Sequence, residues 1–179
     1  EESDRLNRLV GNLLDMTRME AGALKIFRKP CELRDVLGAS LEQLKEKTAS
    51  RNIDINIPRD FPEVPMDFSF MMKVFLNLID NAIKFSPAHG TVEIGAQENN
   101  SVVTLWVADS GAGIPEAYRE KVFEKFFRME ESRSTAGNGL GLSLVAAVAR
   151  IHRAHTLLID NHPGLRVELK IPAEWRGLP

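Results

Sequence analysis

Cysteine is nearly absent from this chain of 179 residues, in which Cys31 is the only one. No disulfide can form within the chain, and no cysteine-based metal site can be built from it. A stable core must come from hydrophobic side chains, which make up 44% of the residues beside 27% that are charged. That balance is typical of a soluble globular protein, and the chain is long enough to bury a core without metals or disulfides.

The sequence also lacks a charge excess of either sign and a long apolar run. It has 23 Lys and Arg against 25 Asp and Glu, a net charge of −2, so we expect no nucleic-acid partner. The longest uncharged stretch, Ser134 to Ala149, contains three glycines and is too short to span a bilayer. The chain opens with Glu-Glu-Ser-Asp, without a signal peptide or an initial Met, and we expect it to be a piece of a longer protein.

Helical and strand patterns alternate along the chain. The predicted helices cover the first segment up to Gly22, then 32–49, 67–85 with Asp67 as its cap, a short helix at 116–123, and 140–151. The predicted strands cover 24–29, 53–57, 91–97, 102–108, 157–159 and 165–171. Interleaved helices and strands with two late hairpins predict an α/β fold, a two-layer sandwich of one mixed sheet with helices on one face.

The first predicted helix carries a hydrophobic seam of Leu6, Leu9, Leu13 and Met16, with spacings of 3, 4 and 3. This spacing is typical of a coiled coil or a helix bundle, and such a stripe must be buried against something. The helix either packs on its own domain or forms half of an interrupted helical hairpin or dimer.

Three polar clusters interrupt the core pattern, and the first lies on the helix predicted at 67–85. Asn77, Asn81 and Lys84 have the spacing i, i+4, i+7 and project from one face. Two carboxamides and an ammonium group there could hold a hard cation and phosphate oxygens. A solvated polar face is the alternative interpretation.

The second and third clusters are rich in glycine. Asp109-Ser-Gly111-Ala-Gly113 follows a predicted strand, and is either a ligand-binding turn or an ordinary one. Gly137-Asn-Gly139-Leu-Gly141 precedes a predicted helix, where free N–H groups and the helix dipole favour phosphate. Neither the Gly-x-Gly-x-x-Gly spacing nor a Walker A motif occurs in the chain.

Taken together and in this order, the three clusters resemble the ATP-binding domain of sensor histidine kinases. This is the Bergerat (GHKL) fold, which DNA gyrase and the mismatch-repair protein MutL share. The stretch from Val122 to Arg128 resembles the phenylalanine box of the kinase branch, and Asn12 to Gly22 is similar to the end of the second dimerisation helix. The resemblance therefore implies a partial dimerisation helix at 1–23 and a catalytic ATP-binding domain at 24–179.

The resemblance also implies a role for individual residues. Asp109 would accept the adenine amino group, and Asn81 would be the Mg²⁺ ligand, with Asn77 in support. Lys84 would contact phosphate, and Arg133 is a weaker candidate for the γ-phosphate. The nucleotide would further be lined by one aromatic residue and by residues of the two glycine-rich turns: Phe85, Gly111, Gly113, Gly137, Gly139, Leu140 and Gly141. A lid is expected at about 128–138.

The resemblance implies an activity, partners and a location. The expected function is transfer of the ATP γ-phosphate to a histidine on a dimerisation domain, for relay to a response-regulator aspartate. The protein would then act as a homodimer in the cytoplasmic portion of a membrane-anchored bacterial sensor. His89, His152, His155 and His162 are the four histidines, and none has the sequence context of a phosphoacceptor.

Other functions remain possible at the level of sequence. Relatives that hydrolyse ATP carry a glutamate where this chain has Asn77, which disfavours a gyrase-like ATPase clamp. A serine kinase that binds a sigma factor is disfavoured by the first helix. An inactive nucleotide-binding module is disfavoured because all the motif residues are present.

Overall fold

The computed structural model describes residues 2–130 and 137–172. Its helices are α1 (Glu2–Glu20), α2 (Leu33–Gln43), α3 (Lys45–Thr48), α4 (Phe68–Phe85) and α5 (Gly141–Ile151). Its strands are β1 (Lys29–Cys31), β2 (Asn52–Asn56), β3 (Val64–Met66), β4 (Thr91–Asn99), β5 (Val102–Ala108), β6 (His155–Asp160) and β7 (Leu165–Pro172). Two 3₁₀ turns, Glu116–Tyr118 and Lys121–Phe123, occupy the short helix predicted at 116–123.

The predicted α/β sandwich is confirmed. Five strands form one sheet in the order β2-β4-β5-β7-β6, in which β2 pairs parallel with β4 and the other pairs are antiparallel. Helices α2, α4 and α5 pack on one face, and hydrophobic side chains of both layers form the core. A separate two-stranded sheet joins β1 and β3.

In the described part of the chain, side chains instead of helices cover the other face of the sheet. Trp106 lies flat over Gly95, its cross-strand partner, and is only 5% exposed. Its indole N–H donates to Glu93 at 3.0 Å, and the Arg166 guanidinium lies 4.1 Å from the ring centroid. A cation–π contact and a hydrogen bond therefore hold a large aromatic ring on this face of the sheet.

Helix α4 begins where the sequence predicts. The Asp67 carboxylate accepts hydrogen bonds from the backbone N–H groups of Ser69 and Phe70, which satisfies donors that no helical carbonyl reaches. The other Asp67 oxygen accepts from the Phe27 N–H, and His152 Nε2 accepts from the Asp67 N–H. The start of α4 is thus fixed against two distant segments.

Two local predictions were wrong. The strand predicted at 24–29 is found at Lys29–Cys31, where the backbone pairs with Val64–Met66. The partner strand was not predicted, because a proline such as Pro65 is unusual inside a strand. The helix predicted at 32–49 is interrupted at Leu44, whose φ of −101° and ψ of 10° leave the helical region.

Helix α1 packs against α5. Met16 and Met19 are buried there, whereas Leu6 is 60% exposed, so the predicted seam is covered only at its C-terminal end. Ion pairs with Lys73 and Lys125 fix Asp15 and Glu20 beside this contact. None of the helices in the described part of the chain combines the length and apolar character that crossing a bilayer requires.

Candidate functional site

A cavity of about 770 Å³ lies between α4, the end of β5 and the start of α5. Nine of the residues predicted to bind a ligand line it: Asn77, Asn81, Lys84, Phe85, Asp109, Gly113, Gly137, Gly139 and Gly141. They come from three segments of the chain that are distant in sequence. The fold therefore brings all three predicted clusters to one place.

Asp109 sits at the end of β5 with its carboxylate in a fixed orientation. Its Oδ1 accepts from the backbone N–H groups of Gly111 at 2.8 Å and Leu165 at 3.1 Å. Burial raises the pKa of the Asp109 carboxyl, and these two hydrogen bonds offset part of that effect. Among the described residues no hydrogen bond to Oδ2 is found, so this oxygen is available to a donor in the cavity.

Two glycines allow the Asp109 turn to form. A Cβ on Gly111 would lie 2.5 Å from the Phe85 carbonyl oxygen, and one on Gly164 would lie 1.8 Å from the Asp109 carbonyl oxygen. Gly164 also has a φ of 115°, which side chains rarely tolerate. Gly111 does not line the cavity, so its observed role is close packing against the end of α4 and donation to Asp109.

The polar face of α4 meets the first turn of α5. A Cβ on Gly141 would lie 3.1 Å from Asn77 Oδ1, a tight contact, and 3.5 Å from Asn81 Nδ2, so the start of α5 lies directly against both carboxamides. The Asn77 amide donates to the Lys73 carbonyl at 2.8 Å. The exposed N–H groups that begin α5 and two carboxamides therefore border the same part of the cavity.

Lys84 is held by an ion pair with Asp80, one turn earlier in α4. Lys47, from α3, pairs with the other Asp80 oxygen at 2.5 Å. Both lysines and Asp80 line the cavity. The edge of the cavity nearest α3 thus carries two ammonium groups around one carboxylate.

The phenylalanine segment supports the third cluster. The Phe126 N–H donates to the Gly139 carbonyl at 2.9 Å, and Arg128 Nη1 donates to the Gly137 carbonyl at 2.8 Å. Gly139 has a φ of 69°, and a Cβ there would lie 2.7 Å from the Phe126 backbone. Phe127 lines the cavity, whereas Phe126 is 57% exposed.

Within the described part of the chain, two predicted site residues do not line the cavity, Gly111 and Leu140. Leu140 is completely buried in the hydrophobic core and does not line the cavity, because the first turn of α5 points its side chain between the layers. Arg133 lies outside the described residues, as does the middle of the predicted lid at 131–136.

Sequence reasoning missed several residues that shape the site. Lys47 and Asn12 line the cavity from α3 and α1, and Gly164 supports Asp109 from the turn before β7. The turn signal from Asn161 to Gly164 identified a hairpin but not its contact with Asp109. No local pattern marks Lys47 or Asn12, because each reaches the cavity only through packing of distant elements.

The polar groups at the cavity fit a nucleotide better than a metal ion held by protein side chains alone. Within residues 2–130 and 137–172, no group of three or more His, Cys, Asp or Glu side chains could hold a metal ion. A carboxamide such as that of Asn81 offers one hard oxygen ligand, so a cation there would need further oxygens from a ligand such as a phosphate. In a different part of the cavity, Asp109 offers a hydrogen-bond acceptor.

Comparison with known proteins identifies the family. The family described as histidine kinase-, DNA gyrase B-, and HSP90-like ATPase matches residues 66–174. The adaptive-response sensory kinase SasA of Synechocystis sp. is 32% identical over 88% of this chain and 42% of that protein. The histidine-protein kinase/phosphatase MprB of Mycobacterium sp. (strain KMS) is 36% identical over 90% of this chain and 31% of that protein. The chain thus spans less than half the length of these curated relatives.

Solved structures agree with this assignment. A mycobacterial sensor histidine kinase MprB structure superposes with a TM-score of 0.71 at 30% identity, covering 81% of this chain and 97% of that one. Full-length ShkA in complex with AMPPNP shares the fold, with a TM-score of 0.83 at 24% identity over 96% of this chain and 36% of that chain. The chain therefore belongs to the histidine kinase-, DNA gyrase B- and HSP90-like ATPase family and, within it, to the sensor histidine kinases.

Proposed function

We propose that this chain binds ATP with Mg²⁺ in the cavity and transfers the γ-phosphate to a histidine on a dimerisation domain. The observation that carries the proposal is Asp109, whose Oδ1 is fixed by two backbone N–H groups while the carboxylate lines the cavity. A fixed acceptor matches the adenine amino group and rejects guanine, which has a carbonyl at that position. The AMPPNP complex of ShkA supports a nucleotide in this fold.

The phosphates would lie toward the start of α5. Gly137, Gly139 and Gly141 allow close approach of the backbone, and the first N–H groups of α5 favour negative charge. Lys84 would contact a phosphate oxygen, and Phe85 would line the nucleotide. Asn81 would hold Mg²⁺ with support from Asn77, and the ion would neutralise charge on the phosphate oxygens. Arg133 stays a candidate for the γ-phosphate on sequence grounds alone.

Transfer to a protein side chain fits this site better than hydrolysis. Asn77 occupies the position where hydrolysing relatives carry a glutamate, and a carboxamide cannot accept a proton from water at neutral pH. Asp80 is on the same helix but is engaged by Lys47 and Lys84. The site therefore supplies positioning and electrostatic stabilisation, which are the main protein contributions to phosphoryl transfer.

The accepting histidine is proposed to lie outside this chain. His152 is buried, with Nε2 accepting from the Asp67 N–H and Nδ1 bonded to the Val148 carbonyl. His89, His155 and His162 are exposed but lie in turns or at a strand start, not on a dimerisation helix. The proposed partners are a dimerisation domain, a second protomer and a response regulator, in the cytoplasmic portion of a membrane-anchored sensor.

A transfer assay in trans tests this function. The chain is mixed with γ-labelled ATP, Mg²⁺ and a purified dimerisation domain that carries the phosphoacceptor histidine. We expect acid-labile, alkali-stable label on that domain and none on this chain alone, because an acceptor in line is required. Asn81→Ala should remove the transfer, whereas Asp54→Asn, on an exposed part of β2, should retain it. Phosphate release without any protein label would instead indicate an ATPase.

A further inference from the structure

The cluster of Lys47, Asp80 and Lys84 holds two cations on one carboxylate. Lys47 Nζ contacts Asp80 Oδ1, and Lys84 Nζ contacts Asp80 Oδ2, so the two lysines do not compete for the same oxygen. The cluster lies at the cavity and carries one net positive charge. Either lysine can leave Asp80 without removing the last counterion of that carboxylate.

Burial makes a counterion necessary for Asp80. Its side chain is 21% exposed, that of Lys84 28% and that of Lys47 48%. Burial alone would raise the pKa of the Asp80 carboxyl, but hydrogen bonds from Lys47 and Lys84 hold that pKa below its ordinary value. Asp80 is therefore ionised at neutral pH, and losing every counterion would leave a poorly solvated charge.

Once a triphosphate is bound, Lys84 has two possible anionic partners, Asp80 and a phosphate group. In the proposed function it contacts phosphate, and in the structure it contacts Asp80. Moving its ammonium group to a phosphate oxygen would expose Asp80 to the cost of an unpaired charge. Lys47 removes this cost because it occupies the second carboxylate oxygen from a different helix.

We propose that Lys47 is a positioning residue, which remains on Asp80 as its counterion and thereby releases Lys84 to bind the triphosphate. The inference rests on the proposed function, in which Lys84 binds phosphate. Lys47 itself touches no phosphate in this arrangement. Its influence on nucleotide affinity passes entirely through Asp80.

Helix α3 provides a matched control. Lys45 lies two residues before Lys47, pairs with Glu42 at 2.7 Å and has a side chain that is 67% exposed. It does not line the cavity. Lys45→Met therefore removes the same charge from the same short helix without changing the Asp80 cluster.

Calorimetric titration with Mg²⁺-ATP and with adenosine measures the effect. We expect Lys47→Met to weaken ATP binding about five- to tenfold, because the variant loses the partly exposed, charge-assisted contact of Lys47 with Asp80. Adenosine affinity should stay the same, because adenosine has no phosphate. Lys47→Arg should restore ATP binding, and Lys45→Met should bind as the unmodified chain does. Circular dichroism and thermal unfolding verify that each variant is folded.

A double-mutant cycle with Asp80→Asn distinguishes release of Lys84 from direct phosphate binding. With the carboxylate removed, Lys84 is free, so adding Lys47→Met should cause no further loss of ATP affinity. An equal loss in both backgrounds would mean that Lys47 contacts phosphate itself, and it would overturn the inference. Loss of adenosine binding in Lys47→Met would overturn it too, as a structural effect. Failure of the unmodified chain to bind ATP is a separate outcome, which would contradict the proposed function and this inference with it.

Discussion

Asp109 combines two properties that oppose each other at the level of one residue. The residue is 7% exposed, and burial raises the pKa of its carboxyl, so the ionised form is destabilising to the fold. The same ionised form provides the acceptor that we propose for adenine. A residue that costs stability and provides function is expected where a protein binds a specific ligand.

Asp109→Asn should therefore change stability and affinity in opposite directions. The asparagine oxygen can still accept from Gly111 and Leu165, which leaves an amide NH₂ group facing the adenine amino group. We expect ATP affinity to fall about 10- to 150-fold and discrimination against GTP to weaken. Urea unfolding at neutral pH should give a higher free energy of unfolding, because the buried charge is gone.

The pH dependence of that stability has a defined sign. The folded-state pKa of Asp109 lies above its unfolded value, so between the two the folded protein binds more protons. The contribution of this carboxyl to stability therefore increases as the pH falls through the folded-state pKa, and Asp109→Asn should remove the increase. An unchanged acid profile in the variant, or tighter ATP binding, would contradict the prediction.

At the scale of elements, helix α1 is attached to the rest of the protein through a short contact. Met16 is 1% exposed and its sulfur accepts a weak hydrogen bond from Ser143, whereas Leu14 is 51% exposed. Asn12, one turn before Met16, lines the cavity. The position of α1 therefore affects one wall of the cavity directly.

Met16→Ala should weaken the docking of α1. Truncating a buried methionine costs about 2–5 kcal/mol, and the α1 contact has few other buried side chains to compensate. Hydrogen exchange should accelerate in the amides of α1 and remain the same in α4. Leu14→Ala, at an exposed position of the same helix, is the matched control and should leave α1 exchange almost unaffected. Equal acceleration in α4 would mean that α1 and the core unfold together.

Some elements and site residues could be predicted because their signals are local. The cap of α4 was recognised because an N-cap side chain acts within three residues, and Asp109 was recognised from the strand and glycines beside it. Lys47 could not be recognised, because its partner Asp80 is 33 residues away and neither residue has a distinctive neighbour. The burial of the Leu140 side chain could not be predicted, because glycine-rich motifs do not indicate which way an intervening side chain points.

At the scale of the whole molecule, the helices of residues 2–130 and 137–172 cover only one face of the sheet. The opposite face depends on the Trp106 ring, which occupies the space that Gly95 leaves. Polar groups of Glu93 and Arg166 then separate the ring from water. The packing of Trp106 over Gly95 thus shields part of this face of the sheet from water.

Gly95→Ala should destabilise the protein. The added Cβ would lie 2.1 Å from the Trp106 ring, and overpacking of this kind costs about 1–3 kcal/mol. Gly38→Ala is the control with the opposite expected effect, because the new Cβ in α2 meets nothing within 4 Å. This substitution should stabilise the protein by about 0.5–1 kcal/mol. Urea denaturation measures both. Equal midpoints for Gly95→Ala and the unmodified chain would show that the ring moves aside at no cost.

The turn that joins β6 to β7 has a consequence for how the protein matures. Asp109 is oriented by the Leu165 N–H, 56 residues later, and its carbonyl accepts from Asn161 at 2.8 Å. A chain still emerging from the ribosome would hold β4, β5 and α4 before these partners exist. The carboxylate that we propose for adenine would have the Gly111 N–H from the start but would gain its second fixed donor, Leu165, only when β7 joins the sheet. Nucleotide recognition would then begin only after the non-local, slow-forming part of the topology is complete, so that a bound nucleotide preferentially stabilises fully folded molecules.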